Sequence, residues 1–283
     1  MQIIVTGSSG KLGVGVVAAL REAGHRVIEF DATVRRGPDS VQIDMTDYGQ
    51  VADAFAGVEE RHDGVDAVVH LAAIPAPGIV PDTVLITQNL TMTINVFQAA
   101  RRAGVKRIVH ASSETLLGIP MATDPPYAPL DEAAETRPEF MYAVGKHLEE
   151  ELAKKLVRWD PELRITGLRF SNVMAEEDYA EFPSWQNDTA IRRWNLFGYI
   201  DRRDGGQAVL RALENAAPGY DTFIIAAADT AMEADSAELL AAEFPDVPLK
   251  REVTGRETLL DITRAREVLG YAPRHSWRDH ASE

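Results

Sequence analysis

The chain has 283 residues, 45% of them hydrophobic and 26% charged, and its formal net charge is −15. This is the composition of a folded globular protein. The acidity argues against nucleic-acid binding, which requires clustered lysine and arginine. The absence of cysteine excludes disulfides, thiol catalysis and cysteine-ligated metals. No charged leader precedes the first apolar run, and no run reaches the roughly 18 residues of a membrane span. We therefore expect a cytoplasmic protein with no membrane, nucleic-acid or metal partner.

The first part of the chain alternates short apolar runs with helical patterns. These patterns predict strands at residues 3–5, 26–30, 41–44, 67–71, 106–112 and 164–170. They predict helices at residues 14–23, 48–55, 83–103 and 142–159. Strands that alternate with helices imply crossover connections, and hence a parallel sheet covered on both faces. The expected fold class is therefore α/β, with a doubly wound parallel sheet.

The pattern becomes irregular after residue 173. A shorter strand is predicted at residues 222–226, and an amphipathic helix at 261–269 that Gly270 closes and Pro273 follows. We predict a sheet domain over residues 1–173 and a small irregular lobe over 174–283. The lobe is expected to interleave with the sheet domain through residues 200–228.

A glycine-rich turn joins the first predicted strand to the first helix. Gly7, Gly10 and Gly13 would permit a tight turn, a close backbone approach to a diphosphate, and close packing of helix on strand. The helix start then offers free N–H groups to an anion. A ligand-free turn explains the glycines equally well when they are considered alone. The residues of this loop that we assign to cofactor binding are Gly7, Gly10, Lys11, Leu12 and Gly13.

The carboxylate of Asp31 favours the interpretation that the glycine-rich turn binds a cofactor. Asp31 ends the second predicted strand, 18 residues after Gly13, where it can accept hydrogen bonds from the hydroxyls of an adenosine ribose. It would also repel a 2′-phosphate, which predicts NAD rather than NADP. Arg35 and Arg36 follow closely and keep NADP open as an alternative.

Three further residues indicate redox chemistry. Tyr142 and Lys146 are four residues apart and project from one helix face. A tyrosine beside an ammonium can act as acid or base near neutral pH. Ser113 closes the strand at 106–112 at the sheet edge where ligands bind, and would hydrogen-bond the reacting oxygen. We predict Ser113, Tyr142 and Lys146 as catalytic residues, with Tyr142 and Lys146 also contacting the cofactor.

Together these motifs resemble the extended short-chain dehydrogenases/reductases of the NAD-dependent epimerase/dehydratase family, and they imply a Rossmann-like fold. The segments that carry the resemblance are Thr6–Gly13, Asp66–Ala73, Asn89–Asn95, Pro138–Lys146, Leu168–Val173 and Asp261–Pro273. The resemblance implies cofactor contacts at Asp44, Met45, Leu71, Ala72, Ala73 and Asn89. It places substrate contacts at Ile74, Ser112, Glu114 and Asn172. It also implies a homodimer formed through the helices at 83–103 and 142–159.

Departures from the family pattern narrow the activity. Glu114 stands where dehydratases carry an acid, but Thr115 replaces their glutamate base, which argues against a dehydratase. Glu114 either hydrogen-bonds a polyol substrate or is a solvated turn residue. The chain length is similar to that of the uronate and sugar dehydrogenases. Those enzymes bind a substrate carboxylate through an arginine that is missing after Tyr179. Arg192 or Arg193 could replace it, and a neutral aldose substrate is equally compatible.

The leading hypothesis is an NAD-dependent dehydrogenase that exchanges hydride with a hydroxyl carbon of a small sugar-like substrate. The alternative is a nucleotide-sugar 4-epimerase, similar to UDP-glucose 4-epimerase, which would use the same three catalytic residues and retain its NAD. A protein that binds NAD without turnover is a third hypothesis, which the Ser/Tyr/Lys set disfavours.

Overall fold

The sheet of this computed structural model, which describes residues 1–33, 37–62 and 64–280, has seven parallel strands in the order β3-β2-β1-β4-β5-β6-β9. Its strands are β1 (Gln2–Thr6), β2 (Arg26–Asp31), β3 (Ser40–Gln42), β4 (Ala67–His70), β5 (Arg107–Ser113), β6 (Arg164–Phe170) and β9 (Gly219–Ile225). A separate two-stranded ribbon pairs β7 (Val173–Met174) with β8 (Ile200–Asp201). The strand order reverses at β1, as in doubly wound dinucleotide-binding folds. The predicted fold class is confirmed.

Helices cover both faces of the sheet. They are α1 (Lys11–Glu22), α2 (Tyr48–His62), α3 (Asp82–Arg102), α4 (Met141–Trp159), α5 (Phe182–Trp185), α6 (Ala190–Arg193), α7 (Arg202–Asn215) and α8 (Ser236–Glu243). Three predicted helices have bounds that differ from the structure by more than one residue. Helix α1 begins at Lys11, three residues before its predicted start. Helix α2 continues past residue 55 because buried Val58 extends the apolar stripe of Val51 and Phe55. The helix predicted at 261–269 starts near Thr263 and ends in a π-helical turn, Ala265–Leu269.

Two apolar clusters lie on opposite faces of the sheet. Alternate residues of β1 contribute to both clusters, since Ile3 and Val5 pack into one cluster and Ile4 into the other. The first cluster also contains residues from the far end of the chain, among them Leu260 and Tyr271. A sheet buried on both faces explains why its strands read as nearly continuous apolar runs.

Glycines bring α7 against α1. A Cβ on Gly15 would lie 2.2 Å from the carbonyl oxygen of Arg202, and one on Gly206 would lie 2.5 Å from the carbonyl oxygen of Gly15. This close approach returns the chain after residue 200 to the sheet, where β9 forms the last strand.

The assignment of residues 1–173 and 174–283 to separate roles stays a prediction. Among the described residues, no helix has both the length and the hydropathy needed to cross a membrane.

Candidate active site

A cavity of about 1500 Å³ runs along the carboxyl ends of the sheet strands. It passes from the loop after β1, past those after β2 and β3, to the loops after β4, β5 and β6. Every residue that the sequence assigns to the site lines it except Asn89. Those lining residues are Gly7, Gly10, Lys11, Leu12, Gly13, Asp31, Asp44, Met45, Leu71, Ala72, Ala73, Ile74, Ser112, Ser113, Glu114, Tyr142, Lys146 and Asn172.

The three glycines of the first loop have different physical requirements. Gly7 has a φ of +69°, and its Cβ would lie 2.6 Å from the backbone nitrogen of Ala72. A Cβ on Gly13 would lie 2.1 Å from the carbonyl oxygen of Gly7. Gly10 is freer, since its Cβ would meet only that same oxygen, at 3.3 Å. The protein's own packing therefore demands glycine at Gly7 and Gly13, whereas at Gly10 a side chain would fill the cavity.

The start of α1 fits a diphosphate. Gly10 is its N-cap and offers no side-chain cap, so the first N–H groups of the helix are available to an anion. Lys11, which lines the cavity here, is half exposed and forms a 2.6 Å ion pair with Asp178. The uncapped helix start and the open side of Gly10 together form a cradle that suits the diphosphate of a dinucleotide.

Asp31 stands at the end of β2 beside this cradle. Its carboxylate accepts hydrogen bonds from the backbone nitrogens of Ser9 and Thr33, at 2.9 and 3.0 Å. The hydroxyl of Thr33 also donates to it, at 3.3 Å. A carboxylate offers about four acceptor positions, so one position remains for a ribose hydroxyl. Arg35 and Arg36, the residues that keep NADP open, lie outside the described residues.

The part of the cavity beside the loop after β3 has a support that the sequence analysis missed. Asp44 is exposed, with its carboxylate accepting from Thr46, while Met45 is buried. The side-chain amide of Asn95, on α3, donates to the carbonyl oxygens of Met45 and Thr46, both at 3.0 Å. Asn95 therefore fixes the loop after β3, a role that only a long-range contact reveals.

Asn89 supports the cavity wall and does not line it. Its amide accepts from the backbone nitrogen of Ile74 at 2.8 Å and donates to the carbonyl oxygen of Ile74 at 3.1 Å. It thereby fixes the loop after β4, whose residues Ile74, Pro75 and Pro77 line the cavity. Asn89 therefore acts on the cavity through this loop, and its expected position near the cofactor stays a prediction.

The predicted catalytic residues converge where β5 meets α4. Lys146 is buried, and its ammonium donates to the carbonyl oxygen of Ala111 at 2.8 Å and to the carboxylate of Glu149 at 3.0 Å. It lies 5.9 Å from the ring centroid of Tyr142. Burial raises the pKa of Tyr142. The charge of Lys146 lowers this pKa, whereas the charge of Glu149 raises it further. Ser113 accepts a hydrogen bond from the backbone nitrogen of Thr115 at 3.2 Å.

Ser112 belongs to a buried polar network. Its hydroxyl donates to Glu150 at 2.6 Å, and Arg169 on β6 binds the same carboxylate through two nitrogens, at 2.9 and 2.8 Å. These bonds hold the pKa of Glu150 below its usual value despite burial. Ser112 thus lines the cavity while its hydroxyl joins α4 to the sheet.

Glu114 is the acidic group at the other end of the cavity. It is 4% exposed, and one carboxylate oxygen lies 3.4 Å from the amide nitrogen of Asn195. Burial raises the pKa of Glu114 to about 7, although Ser171, Arg192 and Asn195 oppose the rise. The alternative of a solvated turn residue is therefore wrong.

The two arginines proposed to bind a substrate carboxylate do not line the cavity. The guanidinium of Arg192 lies 4.6 Å from the ring centroid of Trp185 and 4.9 Å from that of Trp194, and it donates to the carbonyl oxygen of Gly198 at 2.9 Å. Arg193 turns away to Asp124. Of the neighbouring aromatic residues, Trp194 borders the cavity.

A parallel sheet with an uncapped, glycine-bounded helix start, an acid after β2 and a Tyr/Lys pair at β5 defines a dinucleotide-dependent oxidoreductase. The model of the NAD dependent epimerase/dehydratase family matches residues 3–226. The chain belongs to this family, which confirms the resemblance, the enzyme class and NAD as its cofactor.

Individual relatives resemble the whole chain. L-arabinose 1-dehydrogenase (NAD(P)(+)) of Haloferax volcanii is 27% identical, over 96% of each chain. Uronate dehydrogenase of Pseudomonas syringae pv. tomato is 26% identical, over 88% of this chain and 87% of its own. A short-chain dehydrogenase/reductase superfamily protein of Agrobacterium tumefaciens, solved with bound NAD, is 26% identical with a TM-score of 0.73, over 98% of this chain and 94% of its own. By contrast, UDP-glucose 4-epimerase of Haemophilus influenzae is 27% identical over 61% of this chain and 53% of its own. The NAD-dependent dehydrogenase hypothesis is therefore the better supported.

Proposed function

We propose that the enzyme oxidises a hydroxyl carbon of a small free sugar, with Tyr142 as general base. The observation that carries the proposal is the buried Lys146 ammonium beside Tyr142 at the end of β5, where Ser113 also lies. Bound NAD supplies the hydride acceptor. The glycine loop, Asp31 and the backbone of Leu71–Ala73 would hold it.

Each of the three residues has a distinct task in this proposal. Tyr142 removes the proton of the substrate hydroxyl, and the nearby Lys146 ammonium stabilises the phenolate that accepts it. Ser113 hydrogen-bonds the reacting oxygen and fixes its orientation. Lys146, anchored to the carbonyl of Ala111, would also hydrogen-bond the ribose next to the nicotinamide.

The first test is the substitution Tyr142→Phe. Because it removes the acid/base group, we expect kcat/KM for NADH formation to fall roughly 10²- to 10⁴-fold with NAD affinity unchanged. Steady-state NADH absorbance with a panel of aldoses and uronates measures the activity, and calorimetric titration measures NAD binding. The matched control is Tyr127→Phe, whose hydroxyl binds Asp131 away from the cavity. Unchanged turnover in Tyr142→Phe would refute the mechanism.

The same assay separates the dehydrogenase from the epimerase alternative. A dehydrogenase releases its cofactor, so NADH accumulates over many turnovers. A protein that is purified with stoichiometric NAD and forms no NADH from any free sugar would instead support the 4-epimerase.

We also propose that the enzyme is a cytoplasmic homodimer that pairs through α3 and α4. These helices pack side by side and leave apolar side chains exposed, among them Ile94 by 45% and Leu148 by 41%. Two charges placed there should oppose burial of this face. We expect the double substitution Ile94→Glu with Leu148→Glu to give monomers in light scattering. The control, Val268→Glu, alters an equally exposed residue elsewhere and should leave the dimer intact.

A further inference from the structure

The charges that border the cavity are distributed unevenly. Among the described lining residues, Lys11, Asp31 and Asp44 lie at the cofactor end. Lys146 is neutralised by Glu149 at 3.0 Å. Glu114, in contrast, forms no salt bridge with any described residue. If the proposed function holds, the substrate end of the cavity therefore carries one acid and no unpaired cation.

Glu114 has the surroundings of a group that contacts a ligand. One carboxylate oxygen is near Asn195, whereas Oε2 is buried without a hydrogen-bond partner in the described chain. The hydroxyl of Ser171, which also lines the cavity, faces the same carboxylate and lowers its pKa, but the two form no hydrogen bond of normal geometry. Buried polar atoms are rarely left unpaired. An acceptor and a hydroxyl side by side match the pattern of a substrate's own hydroxyl groups.

Arg192, the cation that acts on the charge of Glu114, does not line the cavity. Arg192 is 5% exposed and is held by two tryptophan rings and the carbonyl of Gly198. A carboxylate or phosphate in the cavity would therefore face Glu114 before it could reach Arg192. In a site with little water, an unpaired anion facing another is strongly disfavoured.

We propose that Glu114 is a specificity-determining residue that accepts a hydrogen bond from a hydroxyl of an uncharged sugar and rejects substrates carrying a carboxylate or phosphate. This proposal rests on the proposed function and adds the substrate class. It distinguishes neutral aldoses from uronates and sugar phosphates, which are all small and sugar-like.

The experiment compares matched substrates that differ only at the distal carbon: glucose, galactose and mannose, each with its uronate and 6-phosphate. We expect the wild type to prefer the neutral member by about 10- to 100-fold in kcat/KM. Glu114→Gln should lose about tenfold on the neutral sugar and reduce the preference. Glu177→Gln, on the exposed surface, is the matched control. Calorimetric NAD binding should be the same in all three proteins.

The wild-type preference, measured as kcat/KM for the neutral sugar divided by kcat/KM for its charged counterpart, gives an independent readout when it is followed over pH. Since the pKa of Glu114 is about 7, its charge and its repulsion are complete well above pH 7 and weaken below it. The preference for the neutral sugar should therefore fall as pH drops from 8.5 to 6, and should be flat in Glu114→Gln. Tyr142 and Arg192 are the titratable groups that face Glu114. The comparison uses the uronate pairs, because a uronate keeps its charge over this range whereas a sugar phosphate binds a proton near pH 6. Arg192, whose pKa is lowered to about 10, also keeps its charge. Tyr142 acts on the reacting centre that both sugars share, so the ratio isolates Glu114.

The outcomes separate the two proposals. If the wild type oxidises a uronate or phosphate as well as the neutral sugar, or if Glu114→Gln keeps the same preference, the role of Glu114 is refuted while the dehydrogenase stands. If no sugar of any class yields NADH, the proposed function fails.

Discussion

Lys146 has a partner whose effect extends to Tyr142. Glu149 lies one helical turn along α4, and both side chains of the 3.0 Å ion pair are almost completely buried. Burial opposes the charge on Lys146, but Glu149 favours the ammonium strongly enough that the pKa of Lys146 is raised. The same carboxylate raises the pKa of Tyr142. Glu149 thus keeps the lysine charged while it weakens the lysine's effect on the tyrosine.

Substituting Glu149→Gln tests this balance. In the oxidative direction the base must be a phenolate, so kcat/KM rises with pH through the apparent pKa of the Tyr142–Lys146 pair. Removal of the buried negative charge should shift this rise to lower pH by about one unit. A pH profile of kcat/KM checks this, and Glu151→Gln, on the exposed side of α4, is the control. A shift to higher pH would contradict the prediction, because it would mean that Glu149 acts mainly by keeping Lys146 protonated.

The elements explain why sequence reasoning grouped most of the residues that line the cavity and missed those that support it. Residues at the carboxyl ends of parallel strands meet at one edge, so local patterns suffice to group Gly10, Asp31 and Ser113. Asn95 acts through contacts with the loop after β3, and no local spacing encodes them. Glu149 is three residues from Lys146 on the same helix, a spacing that the sequence shows, but the burial of the pair depends on how α4 packs. For the same reason the sequence left Glu114 open between a ligand contact and a solvated turn.

Strand β5 also carries a buried histidine with a consequence for stability. Both ring nitrogens of His110 lack a partner among the described residues, and the ring lies between those of Phe97 and Tyr220. Burial lowers the pKa of His110 to about 4, a shift that Lys146 reinforces and Glu150 opposes. The folded state therefore resists protonation at a pH where the unfolded chain already binds a proton.

We expect His110 to make the enzyme sensitive to acid. A lowered folded-state pKa gives a stability contribution that is complete above the unfolded value of 6.5 and declines as pH falls towards about 4. Between pH 7 and 5 this loss amounts to about 2 kcal/mol in the free energy of unfolding. Urea unfolding at both pH values should show a loss that is smaller by this amount in His110→Gln. His147→Gln, on the half-buried surface of α4, should lose as much as the wild type. An equal loss in His110→Gln would contradict the assignment.

At the scale of the whole molecule, the hydrophobic core joins the two predicted parts of the chain. Ile3 and Val16, from the first strand and helix, share a cluster with Phe197, Ile224 and Tyr271. Strand β9 pairs with β6 along seven residues, and α7 lies on α1. Residues after 173 therefore share the largest apolar cluster with the first strand and helix, and they also form a smaller aromatic cluster of their own around Phe182.

This shared core predicts one cooperative unfolding transition. Three of the four tryptophans, Trp185, Trp194 and Trp277, follow residue 173, and the fourth, Trp159, is 63% exposed on α4. In a Trp159→Phe variant, tryptophan fluorescence therefore reports only on the C-terminal part, while far-ultraviolet circular dichroism reports on all the helices and strands. We expect the two probes to give the same urea midpoint in this variant, because neither part can lose the shared cluster alone. The wild type, measured by circular dichroism, controls for the substitution. A fluorescence transition at clearly lower urea would instead show that residues 174–283 unfold as an independent domain.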